Sequence, residues 1–67
     1  MHREPVESSN LATVGFSDGV LEIEFRHGGV YQYFNVLASV YEALMSAESK
    51  GKYFYQFIRD KYEFVKL

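Results

Sequence analysis

From Val20 to Arg26 apolar and polar side chains alternate, with Leu21, Ile23 and Phe25 set against Glu22, Glu24 and Arg26. A period of two predicts a strand with one dry and one wet face. Leu11 to Phe16 is apolar and β-branched, and Ser17, Asp18 and Gly19 join it to that strand, so the two segments read as a hairpin. His27, Gly28 and Gly29 make a second tight turn into Val30 to Phe34, an aromatic run of strand-like composition. The first half of the chain therefore predicts a three-stranded antiparallel meander.

The period then changes. Asn35 offers an N-cap, and Val40, Tyr41, Leu44, Met45 and Ala47 recur at the spacing of a helix with one buried stripe, running from about Leu37 to about Ala47. Glu48, Ser49, Lys50 and Gly51 interrupt that stripe. Ser49 is placed to cap a second helix whose inner face is Tyr53 or Phe54, Phe57, Ile58 and Tyr62. The tail from Glu63 to Leu67 alternates again and leaves room for a short C-terminal edge strand. The expected fold class is α+β: a three-stranded meander, then two helices packed on one face.

A chain of 67 residues is too short for two hydrophobic cores, so residues 1–67 are expected to form one domain, with residues 1–5, ending at Pro5, as a loose leader. Six Tyr and six Phe supply most of the large apolar surface, at roughly 150 to 250 Å² each. The absence of Cys excludes disulfides, thiol nucleophiles and cysteine zinc sites. Met1 to Asn10 lacks an apolar signal region and no apolar run of membrane length occurs, so the expectation is a soluble, cytoplasmic protein. A net charge of −2 argues against a protein that wraps nucleic acid by bulk attraction. The charge is uneven, however: residues 1 to 37 hold two basic against five acidic side chains, and residues 38 to 67 hold five against four.

Two places carry candidate binding chemistry. Tyr31 and Tyr33 lie on one side of their strand, because successive side chains alternate. They either form a stacking surface for unpaired bases or pack beneath the helices with only their hydroxyls near solvent, and the shortage of other large side chains favours the core. Ser49, Lys50, Gly51 and Lys52 sit at the start of the second helix, where free N–H groups and the helix dipole favour an anion, and Arg59 follows on the same helix. The simpler use of these residues is a Ser cap with solvated lysines, and of Arg59 an ion pair with Glu63. The pattern is not a nucleotide-hydrolysing phosphate loop, since Ser46 stands five before Gly51 and Tyr53 follows Lys52.

Catalytic chemistry is thin. His2 and His27 have no carboxylate at an orienting spacing. Glu22 and Glu24 share a strand face that a solvated sheet surface explains better than a cation site. No enzyme activity, metal or small-molecule cofactor is expected.

The string Val6, Ser8, Ser9, Asn10, then Leu21 to Phe25, Gly28 to Tyr33, and Ala47 to Phe54 followed by Ile58, Arg59 and Tyr62, resembles the KTSC domain. This short module occurs alone in bacterial proteins and at the C-terminus of some lysyl-tRNA synthetases, with a central tyrosine, any residue, tyrosine motif. The resemblance runs from about Val6 to Leu67. It departs at Leu37, where the family commonly has Pro, and in the short loop at Ser17 to Gly19. The resemblance implies no established activity, and it suggests RNA binding through the synthetase connection. Ser8, Ser9 and Asn10 stay candidates through it, although a local turn accounts for them.

Two functions follow as expectations. One is a non-enzymatic module for RNA, including tRNA, with Lys50, Lys52 and Arg59 on phosphate and Tyr31 or Tyr33 stacking. The other is a module that meets another protein, or a second copy of itself, through exposed rings and an unpaired edge strand.

Overall fold

Asp18 and Gly19 both adopt positive φ, 50° and 78°, as a two-residue mirror-image turn requires, and Ser17 faces Val20 across it. A computed structural model describes residues 1–67 of the chain. Its elements are β1 (Glu4–Pro5), β2 (Leu11–Ser17), β3 (Val20–Phe25), β4 (Val30–Tyr33), α1 (Ala38–Ser46), α2 (Lys50–Phe57) and β5 (Phe64–Lys66). The strands form one antiparallel sheet in the order β1-β2-β3-β4-β5.

The fold is thus α+β with two helices, as the sequence predicts, but the sheet has five strands rather than three and a tail. The tail does pair, with Phe64 opposite Tyr33 and Lys66 opposite Tyr31. The leader is not loose: Glu4 and Pro5 pair with Val14 and Thr13. Proline lacks an N–H and is tolerated at a sheet edge, where β1 lies, so the residue that ends the expected leader belongs to an edge strand instead.

Leu21, Ile23 and Phe25 share one face of the sheet with Val14 and Phe16 of β2 and with Tyr31 and Tyr33 of β4. Both helices lie on this face. Phe54 of α2 meets Phe25 and Tyr33 edge-on at 5.3 and 5.4 Å, and Tyr41 of α1 stacks on Phe16 at 5.0 Å. Leu11, Val14, Leu21, Ile23, Leu44, Phe54 and Ile58 are sealed in the core between the layers.

Two local expectations change. Asn35 is not the cap of α1: it takes the left-handed conformation at φ 59°, which Asn tolerates, and Leu37 occupies the cap with no side-chain bond. The buried stripe of α2 is Gly51, Phe54 and Ile58, while Phe57 is 48% exposed against Tyr53. The helix ends at Phe57, so Tyr62 reaches the core from the turn that follows rather than from the helix.

The opposite face of the sheet is closed by hydrogen bonds. Arg3 donates to Thr13 Oγ1 at 2.9 Å and bonds Glu22 Oε2, Gln32 donates to Glu22 Oε1 at 2.8 Å, and the Thr13 hydroxyl donates to Glu24 at 3.1 Å. Glu22 is consequently only 5% exposed, where the alternating pattern predicts a solvated carboxylate. The Gln32 bond, with Arg3 beside the second oxygen, holds the Glu22 carboxyl below its ordinary value of 4.5 against the opposing effect of burial. Gly15 makes room for this arrangement: a Cβ there would stand 2.5 Å from the His2 carbonyl oxygen and 2.9 Å from Arg3 Cγ.

Candidate ligand-binding pocket

The helix layer covers the middle of the sheet and leaves the aromatic face beside β4 partly open. Phe54 reaches as far as Tyr33, whose ring is also packed by Tyr31 at 6.5 Å and Phe64 at 5.5 Å. Tyr33 is therefore only 4% exposed and offers no ring face for stacking, so of the two readings open to it the core one holds. Tyr31 stays half-buried, edge-on to Phe25 at 5.4 Å.

These rings form the base of an open pocket of about 180 Å³ lined by Phe25, His27, Tyr31, Tyr33, Phe54, Tyr55 and Arg59. No acidic side chain lines it. The Arg59 guanidinium lies over the Tyr55 ring at 5.1 Å from its centroid, and Lys66 Nζ lies 6.0 Å from the Tyr31 centroid. The chain has one ion pair, Arg3 with Glu22, so neither Arg59 nor Lys66 is held in an ion pair, although Asp60 lies close enough to act on the Tyr33 phenol together with Arg59. The expected Arg59 pair with Glu63 is not made, because the helix has ended before Arg59.

Tyr33 lines the pocket, and no buried side-chain oxygen or nitrogen in the molecule lacks a partner, so its hydroxyl, which makes no hydrogen bond within the chain, is not sealed from solvent. Burial, followed by the neighbouring Tyr31, pushes the Tyr33 phenol up to about 12, with Arg59 acting the other way. Tyr33 thus presents a protonated hydroxyl at physiological pH, able both to donate and to accept.

The start of α2 is not part of this pocket. Ser49 Oγ accepts from the Lys52 N–H at 3.3 Å, the cap its sequence position predicts. Lys50 Nζ donates back to the Ala47 carbonyl at 3.2 Å. Gly51 is buried against Asn10 and Ser8, where a Cβ would meet Asn10 Nδ2 at 3.0 Å. Ser49, Lys50 and Gly51 therefore have structural roles, and Lys52 stands in the first turn of α2 whereas Arg59 follows its last. Of the residues singled out in the sequence, the fold joins Tyr31, Tyr33 and Arg59 and leaves Ser49, Lys50, Gly51 and Lys52 at the far end of the helix.

Ser8 forms the expected local turn, accepting from the N–H groups of Asn10 and Leu11 at 3.2 Å each. Arg26 pins the same segment by donating to the Ser8 and Val6 carbonyls at 2.6 and 3.1 Å. Sequence reasoning missed His27 and Tyr55 in the pocket lining and Lys66 beside Tyr31. His27 stacks on Phe25 at 5.3 Å, and Lys66 arrives through the β4–β5 register. The alternation of Phe64 and Lys66 carried that second signal, but it becomes readable only once the tail is paired with β4.

Residues 7–62 match the model of the KTSC domain. The chain is 51% identical over 47 residues to a lysine–tRNA ligase of Nostoc punctiforme, covering 70% of this chain and 8% of the ligase. It therefore spans a small fraction of the ligase relatives it matches. A protein of Stutzerimonas stutzeri is 34% identical over 64 residues, covering 92% of this chain and 90% of its own length. The crystal structure of a KTSC domain protein from Yersinia pestis superimposes with a TM-score of 0.93 at 39% identity, covering 98% and 96% of the two chains.

Proposed function

The chain belongs to the KTSC domain family, and from that membership and the pocket at Tyr31 we propose that it is a non-catalytic binding module for RNA. The observation that carries this reading is Arg59, an unpaired guanidinium laid over an exposed tyrosine at the mouth of an aromatic pocket free of acids. Aromatic faces flanked by cations are how proteins take unpaired bases and their phosphates. Similarity to a segment of lysine–tRNA ligases supports tRNA as the first RNA to try. His27 is stacked on Phe25 and bonds no carboxylate, which supports a binding role over acid–base catalysis.

Titration of the labelled domain with mixed tRNA, at roughly 50 and 200 mM salt, tests the proposal. Binding should weaken with salt and fall when Arg59 and Lys66 are both changed to Ala. Replacing Lys50 and Lys52 should do less, because they lie at the other end of α2. A titration indifferent to salt and to Arg59 ends the reading.

The β5 edge favours a second reading, association with a second copy. The Glu63 carbonyl accepts from Phe34 N and Leu67 N donates to the Val30 carbonyl, so odd-numbered residues turn toward β4 and Phe64 and Lys66 direct their backbone groups outward. Phe64 is 53% and Leu67 65% exposed beside this edge. An antiparallel pair setting Phe64 opposite Lys66 of the other copy would satisfy both outward residues twice and bring the two Val65 side chains together on the axis. Sedimentation equilibrium decides it: a dimer abolished by Lys66→Pro supports the pairing, and a monomer at every concentration refutes it.

A further inference from the structure

At about 180 Å³ the Tyr31 pocket is smaller than the roughly 300–1,000 Å³ of sites that enclose a drug-sized molecule, so it accepts one ring system and little more. We infer that its occupant is a single unpaired nucleobase, held with its phosphate outside the pocket, so that the module engages single-stranded RNA rather than duplex. This inference rests on the RNA-binding reading and narrows it.

The shape of the site carries the argument. Its base is made of Phe25, Tyr33 and Phe54, all buried, so a ligand touches them only by entering the pocket. A base inside a duplex cannot enter, since its faces are covered by the stack and its edge by its partner; an unpaired base can. The rings at the bottom give an aromatic contact for a flat ring, and the Tyr33 hydroxyl supplies one polar group that can donate to or accept from a base edge.

The Arg59 guanidinium belongs to the pocket wall, and Lys66 lies beyond the lining, beside Tyr31. Arg59 stands over Tyr55 on the α2 side, and Lys66 stands over Tyr31 on the β5 side. The flexible end of Lys66 also passes the backbone of Gly29, where a Cβ would be 3.3 Å from Lys66 Cε. Arg59 in the pocket wall and Lys66 beside Tyr31 are cations available to the phosphates that flank a nucleotide in a strand. A duplex would instead need a cationic surface following two backbones, and with Lys50 engaged by Ala47 and a net charge of −2 this chain lacks one.

The experiment compares a mixed-sequence single-stranded RNA of about six nucleotides with a closed RNA hairpin of the same composition, and adds adenosine and uridine 5′-monophosphates as minimal probes. Affinity is read by fluorescence anisotropy, and the position of the ligand by the ring and guanidinium NMR signals of Tyr31, Tyr55 and Arg59. The single strand should bind at least about tenfold more tightly than the hairpin, and the monophosphates should shift Tyr31 and Arg59. Tyr55→Ala, at an exposed ring whose loss spares the core, should weaken the single strand by roughly 5- to 150-fold. A hairpin that binds as well as the single strand, with the same loss on Arg59→Ala, overturns the single-base inference while the RNA reading stands. Failure of both RNAs to bind overturns both.

Discussion

Arg3 and Glu22, nineteen positions apart, form the one ion pair of the molecule across the outer face of the sheet, and Gln32 occupies the second carboxylate oxygen at 2.8 Å. The pair ties the N-terminal segment to the central strand. Side-chain exposure is 29% for Arg3 and 7% for Glu22, so the acid is the member that burial makes dependent on its partners.

Arg3→Ala should therefore cost about 1–3 kcal/mol, because it leaves a buried carboxylate short of a partner. Urea unfolding measures this. A double-mutant cycle with Glu22→Gln should recover part of the loss, since the neutral amide no longer requires a guanidinium.

The same carboxylate sets an acid limit. Folded Glu22 binds its proton less tightly than unfolded Glu22, so acid favours the unfolded chain. Its contribution is complete above the ordinary value of 4.5 and is lost as pH falls below it. Thermal melts from neutral pH downward should show this loss, and Arg3→Ala should reduce it in part, because the stronger Gln32 bond remains.

Tyr33 sets an alkaline counterpart of opposite sign. Its phenol holds a proton up to about 12 against an ordinary 10.0, so its contribution is whole below 10.0 and declines as pH rises toward 12. Ultraviolet titration of the six tyrosines should show one late phenol, and Tyr33→Phe should remove that step.

Gly15→Ala should destabilise by about 1–3 kcal/mol, since the new methyl collides with the His2 backbone and the chain must yield. Deleting residues 1–3 in the same background should remove the collision and leave only the loss of the Arg3 bonds. Equal stabilities for Gly15→Ala and the parent would contradict the close approach.

Phe54 and Phe57 separate the buried from the exposed side of α2. Phe54→Ala should cost about 3–5 kcal/mol and Phe57→Ala no more than about 1 kcal/mol. Similar losses at both positions would mean that the helix is rotated from the arrangement described.

Local pattern alone was enough for much of this protein. The alternation at Leu21 to Phe25, the Asp18–Gly19 turn and the Ser49 cap each encode their conformation in a few adjacent residues, and each forms as expected. The class of fold was legible for the same reason, because a period of two followed by a helical stripe needs only neighbours to be read. Phe57 shows the limit of this reasoning: four large rings between Tyr53 and Phe57 leave the buried face of α2 ambiguous until Phe25 and Tyr33 select Phe54.

What the tertiary structure decided depends on contacts between distant segments. Pro5 reads as the end of a loose leader until β2 pairs with it, and Glu22 reads as solvated until Arg3 crosses the sheet to meet it. The pocket has the same origin. Tyr31, Arg59 and Lys66 come from three separate elements, and only the β4–β5 register together with the end of α2 brings them to one place. Side-chain periodicity specifies which face a residue takes, but not which remote residue will share it, because that choice is made by strand pairing and the packing of the helix layer.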